Sequence, residues 1–203
     1  DLVFDMSDPG TGKTYVRIMG FAKRHKRRGG CMLVLAPRSL LRAAWANDLH
    51  KFAPHLRVSV ATAAKREAAF AEEADVYAAN HDAVKWIAKQ KPAFFKRVTE
   101  LVVDEATAYR HHTSQRSKAA LRIAKHFPKR TLLTATPTTN GICDIWHQMM
   151  LLDGGKRIGS SFYGFRNTVC IPEQVGRMAQ AVKWRDKDGA EEAVFDLISD
   201  VVV

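Results

Sequence analysis

The sequence predicts an α/β fold in which a parallel β-sheet is sandwiched between helices. Short apolar runs alternate with segments of helical periodicity along residues 1–153, and the runs are apolar at nearly every position rather than at every second one. Strands buried on both faces are typical of parallel sheets whose crossover helices cover both sides. The alternation stops after residue 153, so we expect a first domain over 1–153 and a short helical extension over 154–203.

Six apolar runs are predicted strands, and a predicted helix follows each of them. The predicted strands are Leu2–Phe4, Cys31–Ala36, Val58–Ala61, Val76–Ala79, Glu100–Val103 and Arg130–Ala135. The predicted helices are Lys13–His25, Ser39–Phe52, Ala63–Ala71, His81–Ala88, Ser114–His126 and Ile142–Leu152. Ser39 is expected to cap the second helix, because its hydroxyl can accept a hydrogen bond from a free amide of the first turn.

The last fifty residues have a different pattern. Ser160–Asn167 is rich in aromatic residues, 168–190 is predicted to be irregular, and Ala190–Ser199 is a predicted helix. The apolar run Val201–Val203 closes the sequence without a following helical pattern. We expect this run to lead into a further segment.

The composition favours an anionic partner. The chain has 203 residues with 32 Lys and Arg against 21 Asp and Glu, and all of the net charge of +11 precedes residue 154. Such a balance indicates nucleic acid before membrane, and no apolar run approaches the length of a membrane span. The 3 cysteines lie far apart, which excludes a disulfide framework and predicts a reducing, cytoplasmic location.

A phosphate-binding loop is predicted between the first strand and the first helix. Glycines in this segment let backbone amides surround an anion, and the helix directs its positive dipole end toward it. Lys13 is placed to reach the β- and γ-phosphates of ATP, and the Thr14 hydroxyl to hold Mg²⁺. Ser7 stands where the strict pattern has glycine. The predicted ATP-binding residues are Asp8, Pro9, Gly10, Thr11, Gly12, Lys13 and Thr14.

Two adjacent carboxylates end the fifth predicted strand. In an open α/β sheet, ligands bind at the carboxyl ends of the strands. Asp104 is therefore the predicted metal-side carboxylate, and Glu105 the predicted base that orients the attacking water. With Lys13 they form the predicted catalytic set.

Thr134 and Thr136 end the sixth predicted strand. Their hydroxyls could bond to the carboxylates and couple the site to the nucleotide state. The alternative is a polar strand end before a turn initiated by Pro137.

Three other features have an ordinary structural interpretation. The charge run Lys23–Arg28 is more typical of a solvated helix end than of a nucleic-acid surface. The pair His111–His112 has no partner at metal-ligand spacing. Phe162, Tyr163 and Phe165 are predicted to pack the extension rather than to stack on bases.

These motifs, in their order, resemble the first lobe of superfamily 2 helicases, and most nearly that of the Swi/Snf-type DNA translocases. The resemblance covers about residues 2–153 and rests on the segments DMSDPGTGKT, VLAPRSLLRAAW, VYAANHDAV, VVDEAT and LLTATPTTN. The segment SFYGFR within Ser160–Arg166 is similar to the extension of that group. Ala135, where glycine is common, and Ser7-Asp8-Pro9 depart from the group's pattern.

The resemblance implies a RecA-like P-loop NTPase lobe that uses ATP and Mg²⁺ and grips DNA, with RNA not excluded. It also implies a second RecA-like lobe, in the same full-length chain, that supplies arginine fingers. In such lobes the segments after the second, fourth and sixth strands hold the nucleic-acid backbone. The residues at these positions are Arg38, Ser39, Asn80, His81, Thr138 and Asn140.

The predicted function is the ATP-binding lobe of a DNA helicase or translocase, nearly inactive as an isolated lobe. Two alternatives stay open from the sequence. One is a module that binds nucleotide or DNA without turnover. The other is a P-loop ATPase of another class, such as a nucleotide kinase, for which neither a phosphoacceptor site nor a lid is recognisable.

Overall fold

A computed structural model describes residues 1–176 and 181–203 of the chain. A six-stranded sheet with all of its neighbouring strands parallel forms the centre, in the order β1-β6-β5-β2-β4-β3. Its strands are β1 (Leu2–Asp5), β2 (Cys31–Ala36), β3 (Val58–Ala61), β4 (Val76–Asn80), β5 (Val98–Asp104) and β6 (Lys129–Leu133). The predicted α/β class, with a parallel sheet between helices, is confirmed.

Helices connect the strands and cover the sheet. Those of the first 153 residues are α1 (Lys13–Arg28), α2 (Asn47–Phe52), α3 (Arg66–Ala71), α4 (Val84–Ile87), α5 (Pro92–Phe95), α6 (Gln115–Ala124) and α7 (Asp144–Asp153). Short 3₁₀ turns span His81–Ala83 and Ala106–Tyr109, and a π-helical segment, Leu41–Ala46, precedes α2.

The core has two halves because the central strands are buried on both faces. In β2, Leu33 and Leu35 belong to one hydrophobic cluster while Met32 and Val34 belong to the other. Helices α6 and α7 contribute to the first cluster, and α1 with the π-helical segment contributes to the second. This alternation explains why the strand was apolar at every position.

The region after β2 differs from the predicted single helix Ser39–Phe52. The helical turns begin at Leu41 as a π-helix, and Ser39 is exposed and does not cap them, since no side chain caps this start. The predicted cap is therefore wrong. A π-helix is wider than an α-helix and often lies next to a functional site. Here it carries the buried Trp45.

The extension after α7 contains more than helices. Helices α8 (Phe162–Val169) and α9 (Ala190–Ile198) flank an antiparallel hairpin of β7 (Cys170–Gln174) and β8 (Val182–Asp186). The prediction of an irregular 168–190 segment is thus wrong for these strands, while 177–180 lie outside the described residues. The hairpin escaped prediction because both strands are mostly exposed and lack an apolar run.

The apolar C-terminal run returns to the sheet. Val202 forms a parallel bridge with Phe4, the Val203 amide donates to the Phe4 carbonyl at 3.0 Å, and the Met6 amide donates to the Val203 carbonyl at 2.9 Å. Val201 is buried beside them. The run therefore lies along the outer edge of β1. Within the described residues, no helix is long and apolar enough to cross a membrane.

Candidate nucleotide-binding site and nucleic-acid interface

The predicted site residues lie at one edge of the sheet, where the carboxyl ends of its parallel strands meet. The phosphate loop follows β1, the acidic pair ends β5, and Thr134 follows β6, which lies between those two strands. Segments after β2 and β4 continue the same edge on the other side of β5. The order of strands thus brings together residues as distant in sequence as Asp8 and Thr134.

Positive φ angles shape the phosphate loop. Gly10 and Gly12 have φ angles of 83° and 86°, in the left-handed region that favours glycine. No atom lies within 4 Å of a Cβ built on either residue, so backbone conformation rather than space calls for glycine. The Thr11 hydroxyl donates to the Asp8 carbonyl at 2.8 Å and closes the turn.

Lys13 opens α1 with its side chain folded over this loop. Its ammonium donates to the carbonyl oxygens of Ser7 and Asp8, the latter at 3.1 Å. Thr14 is the next residue, and no side-chain hydrogen bond engages its hydroxyl in the described structure. A flexible cation, a free hydroxyl and a nearby carboxylate are suitable groups for a magnesium nucleotide.

Asp104 is held by an unpredicted partner. The indole Nε1 of Trp45 donates a hydrogen bond to Oδ2 of Asp104 at 2.8 Å. Burial raises the pKa of the Asp104 carboxyl, while the Trp45 bond and the Lys13 charge act in the opposite direction. Apolar surroundings therefore disfavour the carboxylate form, and a cation bound beside it would favour that form.

Glu105 has the only positive φ angle among the described non-glycine residues, at 55°. The chain turns there from β5 into the 3₁₀ segment Ala106–Tyr109, and the Glu105 side chain stays exposed. Burial and the neighbouring Asp104 charge raise the pKa of its carboxyl, and Lys13 lowers it. The ammonium of Lys13 thus acts on both carboxyls, and the three predicted catalytic side chains share one electrostatic environment.

The two predicted coupling residues lie between the loop and the acids. The Thr134 amide donates to the Asp5 carbonyl at 3.1 Å, and Thr134 is buried. Its hydroxyl accepts from the Thr136 amide at 3.3 Å, while Thr136 itself is exposed. In this conformation their hydroxyls make no bond to Asp104 or Glu105 among the described contacts, so coupling stays a prediction.

The candidate nucleic-acid residues after β2 and β4 are placed differently. Arg38 and Ser39 are exposed, and Ser39 is free of any capping bond. Asn80 is half-buried, and its Oδ1 has no partner. His81 is only 8% exposed and bonds to the Tyr109 hydroxyl at 3.1 Å through Nδ1. Burial lowers the pKa of His81 to about 4, so this imidazole is a neutral internal group.

The segment after β6 is fixed by neighbouring residues. The Thr138 hydroxyl donates to Glu191 of α9 at 3.2 Å. Asn140 donates from its amide and its side chain to Asp144 at 2.9 and 3.1 Å. Asp186 of β8 accepts from the Ile142 amide at 2.9 Å. The extension thus contacts the segment that the sequence assigns to the nucleic-acid backbone.

The remaining candidates have structural partners. His112 packs on Phe162 with ring centroids 4.0 Å apart, and no group of potential metal ligands occurs among the described residues. Phe165 is buried as predicted, whereas Tyr163 is exposed. The cations Lys26, Arg27 and Arg28 are exposed in the last turn of α1.

Three residues next to the site were not predicted from the sequence: Trp45, Asp5 and Asp186. Their contacts join segments that are distant in the chain, and nothing in the local sequence around them indicates those contacts.

A family model described as the SNF2-related domain matches residues 5–192. The chain belongs to this family. The first-lobe resemblance read from the motifs is confirmed, and the RecA-like fold of the SNF2-related ATPases agrees with the six-stranded sheet described above.

Relatives of the SNF2-related chain include phage, animal and bacterial proteins. A putative protein of the Acyrthosiphon pisum secondary endosymbiont phage 1 is 29% identical over 66% of this chain and 31% of its own length. A mouse SWI/SNF-related regulator of chromatin is 31% identical over 68% of this chain and 14% of its own length. An uncharacterized ATP-dependent helicase of Mycoplasma genitalium is 28% identical over 68% of this chain.

The solved SWI2/SNF2 ATPase core of Sulfolobus solfataricus in complex with dsDNA is structurally similar. It aligns with a TM-score of 0.74 and 26% identity over the whole SNF2-related chain and 39% of its own length. The chain therefore spans less than half of that core, about a third of the phage relative and a seventh of the mouse regulator.

Proposed function

We propose that this SNF2-related chain is the ATP-binding motor lobe of a DNA translocase or helicase, which couples ATP hydrolysis to movement on nucleic acid. One observation carries the proposal. The Lys13 ammonium, seated on the phosphate loop, acts across the intervening strand β6 on both Asp104 and Glu105, where it opposes the rise in carboxyl pKa that burial causes. A cation and two carboxyls that share one site are what a magnesium nucleotide requires.

In this proposal each group has a separate task. Loop amides from Asp8 to Gly12 surround the phosphates, and Lys13 leaves the Ser7 and Asp8 carbonyls to pair with the β/γ-phosphate oxygens. Thr14 and Asp104 would hold Mg²⁺, which would supply charge neutralisation for the phosphates. Glu105 orients the attacking water and accepts its proton, since its raised pKa makes it a stronger base than an ordinary glutamate.

The DNA backbone is the proposed second ligand. The support is the excess of positive charge before residue 154, the exposed Arg38 and Ser39, and the dsDNA-bound Sulfolobus relative. Asn80, Thr138 and Asn140 complete the proposed contacts, with RNA as a further candidate. We assign His81 a supporting role, because its buried imidazole faces Tyr109 instead of solvent.

The domain organisation belongs to the same proposal. Residues 1–153 are the proposed ATP-binding lobe, and 154–203 are the extension that steadies the segment after β6. The chain covers 39% of the Sulfolobus core, which supports a second RecA-like lobe in the full-length protein. That lobe would close the open side of the nucleotide site.

The test is Mg-ATP binding by isothermal calorimetry, followed by DNA-stimulated hydrolysis in a protein that includes the second lobe. We expect Lys13→Ala to abolish measurable binding, because the side-chain cation at the phosphates is lost. Lys23→Ala is the matched control, since Lys23 is exposed on the same helix. Micromolar binding by Lys13→Ala, or hydrolysis indifferent to DNA, would contradict the proposal.

A further inference from the structure

The carboxylate of Asp5 is buried at the point where β1 ends and the phosphate loop begins. It is 4% exposed. Its Oδ1 accepts hydrogen bonds from the Ser7 hydroxyl at 2.5 Å and from the Ser7 amide at 3.2 Å. Its Oδ2 accepts from Nη2 of Arg17 at 3.1 Å, which forms an ion pair. Three donors thus compensate the burial of this charge.

The same chain of hydrogen bonds continues into the loop. The Thr11 hydroxyl proton is shared between the Asp8 carbonyl at 2.8 Å and the Ser7 hydroxyl oxygen at 3.2 Å, so Ser7 donates to Asp5 and accepts the longer branch of this bifurcated bond from Thr11. A serine hydroxyl has one donor and two acceptor positions, and this arrangement uses both functions. The network therefore crosses the loop from Arg17, one helical turn after Lys13, to the loop's centre.

Ser7 occupies the position where the strict phosphate-loop pattern has glycine. Glycine could not make either side-chain bond. Its greater backbone freedom would also leave the loop with more conformations to lose when a ligand binds. Ser7 therefore makes hydrogen bonds to Asp5 and Thr11 that glycine could not make. These bonds explain why serine replaces the glycine of the strict phosphate-loop pattern in this chain.

We propose that Asp5, Ser7 and Arg17 are positioning residues that fix the backbone of the phosphate-binding loop in the conformation described here before ATP arrives. The inference rests on the proposed ATP binding at this loop. A loop that is ordered beforehand loses less conformational entropy on binding, and it therefore binds its ligand with higher affinity. None of the three residues needs to touch the nucleotide for this effect.

The main test is Ser7→Ala, which removes both hydroxyl bonds and leaves the Ser7 amide on Asp5. We expect the dissociation constant of Mg-ATP to rise about tenfold, the size expected for one lost hydrogen bond to a charged group. Backbone order parameters at Gly10, Thr11 and Gly12, from NMR relaxation, should fall in the absence of nucleotide. The exposed Ser160→Ala is the matched control.

Asp5→Asn is the second variant. It keeps the side-chain shape but replaces the charge that Arg17 pairs with, and it should weaken Mg-ATP binding at least as much as Ser7→Ala. Thermal unfolding of each variant separates loss of fold from loss of loop order. If Asp5→Asn does not fold, Ser7→Ala decides the question alone, because Ser7 is only half-buried and its replacement leaves the Asp5–Arg17 ion pair in place.

The outcomes distinguish this inference from the proposed function. Looser loop amides with weaker Mg-ATP binding in Ser7→Ala would support the inference. Unchanged affinity and order in Ser7→Ala, with binding abolished in Lys13→Ala, would overturn it and leave the ATP site intact. Equal binding by the unmutated chain and Lys13→Ala would instead overturn the proposed function, and the inference with it.

Discussion

The indole of Trp45 and the carboxylate of Asp104 are joined by a hydrogen bond of 2.8 Å between elements that follow different strands. Trp45 is fully buried in the π-helical segment after β2, and Asp104 ends the neighbouring strand β5. The bond fixes Oδ2 and orients Oδ1 within the site. A residue of the core therefore sets the direction of the proposed metal-side carboxylate.

The raised pKa of Asp104 predicts that replacing it stabilises the fold. A carboxyl whose pKa is higher in the folded state binds its proton more tightly there. The free energy of unfolding then falls as pH rises from the ordinary carboxyl pKa, about 3.9, through the raised value. Asp104→Asn removes this pH-dependent loss of stability, because asparagine does not ionise. Its side-chain amide oxygen can still accept the hydrogen bond from the Trp45 indole.

We expect Asp104→Asn to have a higher Tm than the unmutated chain at pH 8, with the difference shrinking toward pH 4. Thermal unfolding across that range measures it, and Asp48→Asn, a partly exposed acid of α2, is the control. A lower Tm at neutral pH would mean that ionised Asp104 is stabilised by contacts beyond the Trp45 bond.

Glu105→Gln should separate binding from hydrolysis. The change preserves side-chain length and the backbone at a φ of 55°, and it leaves Asp104 and Thr14 in place. Mg-ATP affinity should therefore persist, while hydrolysis in the two-lobe protein disappears because an amide cannot take the proton from water. Glu67→Gln, at an exposed position, is the control. Hydrolysis at the unmutated rate would exclude Glu105 as the base.

DNA binding should be weak, independent of sequence and sensitive to salt, because the proposed contacts are to phosphates. Arg38→Ala should lower affinity for every duplex and reduce the salt dependence slightly. Replacing Lys26, Arg27 and Arg28 together by alanine should have less effect, since they end α1 at the opposite edge of the sheet. Fluorescence anisotropy measures the DNA affinity of both variants. A larger loss of affinity in the triple variant than in Arg38→Ala would mean that DNA binds at that opposite edge of the sheet.

The 203-residue chain should hydrolyse ATP very slowly even with saturating DNA. In the proposed site, Lys13 and Mg²⁺ would neutralise one side of the transferred phosphoryl group, and an arginine from a second lobe would be needed on the other. Arg110 is engaged elsewhere, 3.9 Å from Asp144 and bonded to the Thr107 carbonyl.

Joining the second lobe in the same chain should raise turnover by at least about a hundredfold, given the factor of about 10³–10⁵ that arginine fingers supply. Steady-state ATPase assays of the two proteins with duplex DNA measure this. Turnover of several per second by the shorter chain alone would mean that an internal arginine reaches the site.

Local sequence was sufficient for the parts of the fold that depend on local pattern. Cys31–Ala36 was predicted with the bounds that the structure has, because a central strand covered on both faces must be apolar throughout. Val58–Ala61 was also predicted with its observed bounds, although it is an outer strand and contains Ser59. The phosphate loop and the acidic pair were predicted for a similar reason. Glycine spacing and a strand that ends in two carboxylates are short-range features.

Contacts between distant segments could not be predicted in this way. The Trp45–Asp104 hydrogen bond depends on the placement of β2 beside β5. It also depends on the π-helix Leu41–Ala46, which no residue of that segment predicts. The Ser39 cap failed because the helical turns begin later than the apolar spacing suggested. His81 was predicted to contact nucleic acid, but the side chain is buried against Tyr109 of the 3₁₀ segment after β5, a contact that local sequence does not show.

The bridge between Phe4 and Val202 also bears on solubility. A parallel sheet has two outer strands, and an uncovered one exposes amides and carbonyls to which another molecule can add a strand. Val202 and Val203 occupy that position along β1, next to the fully buried Phe4. A shortened version that stops at Asp200 would leave this border uncovered, and intermolecular strand pairing would then begin beside the phosphate loop itself.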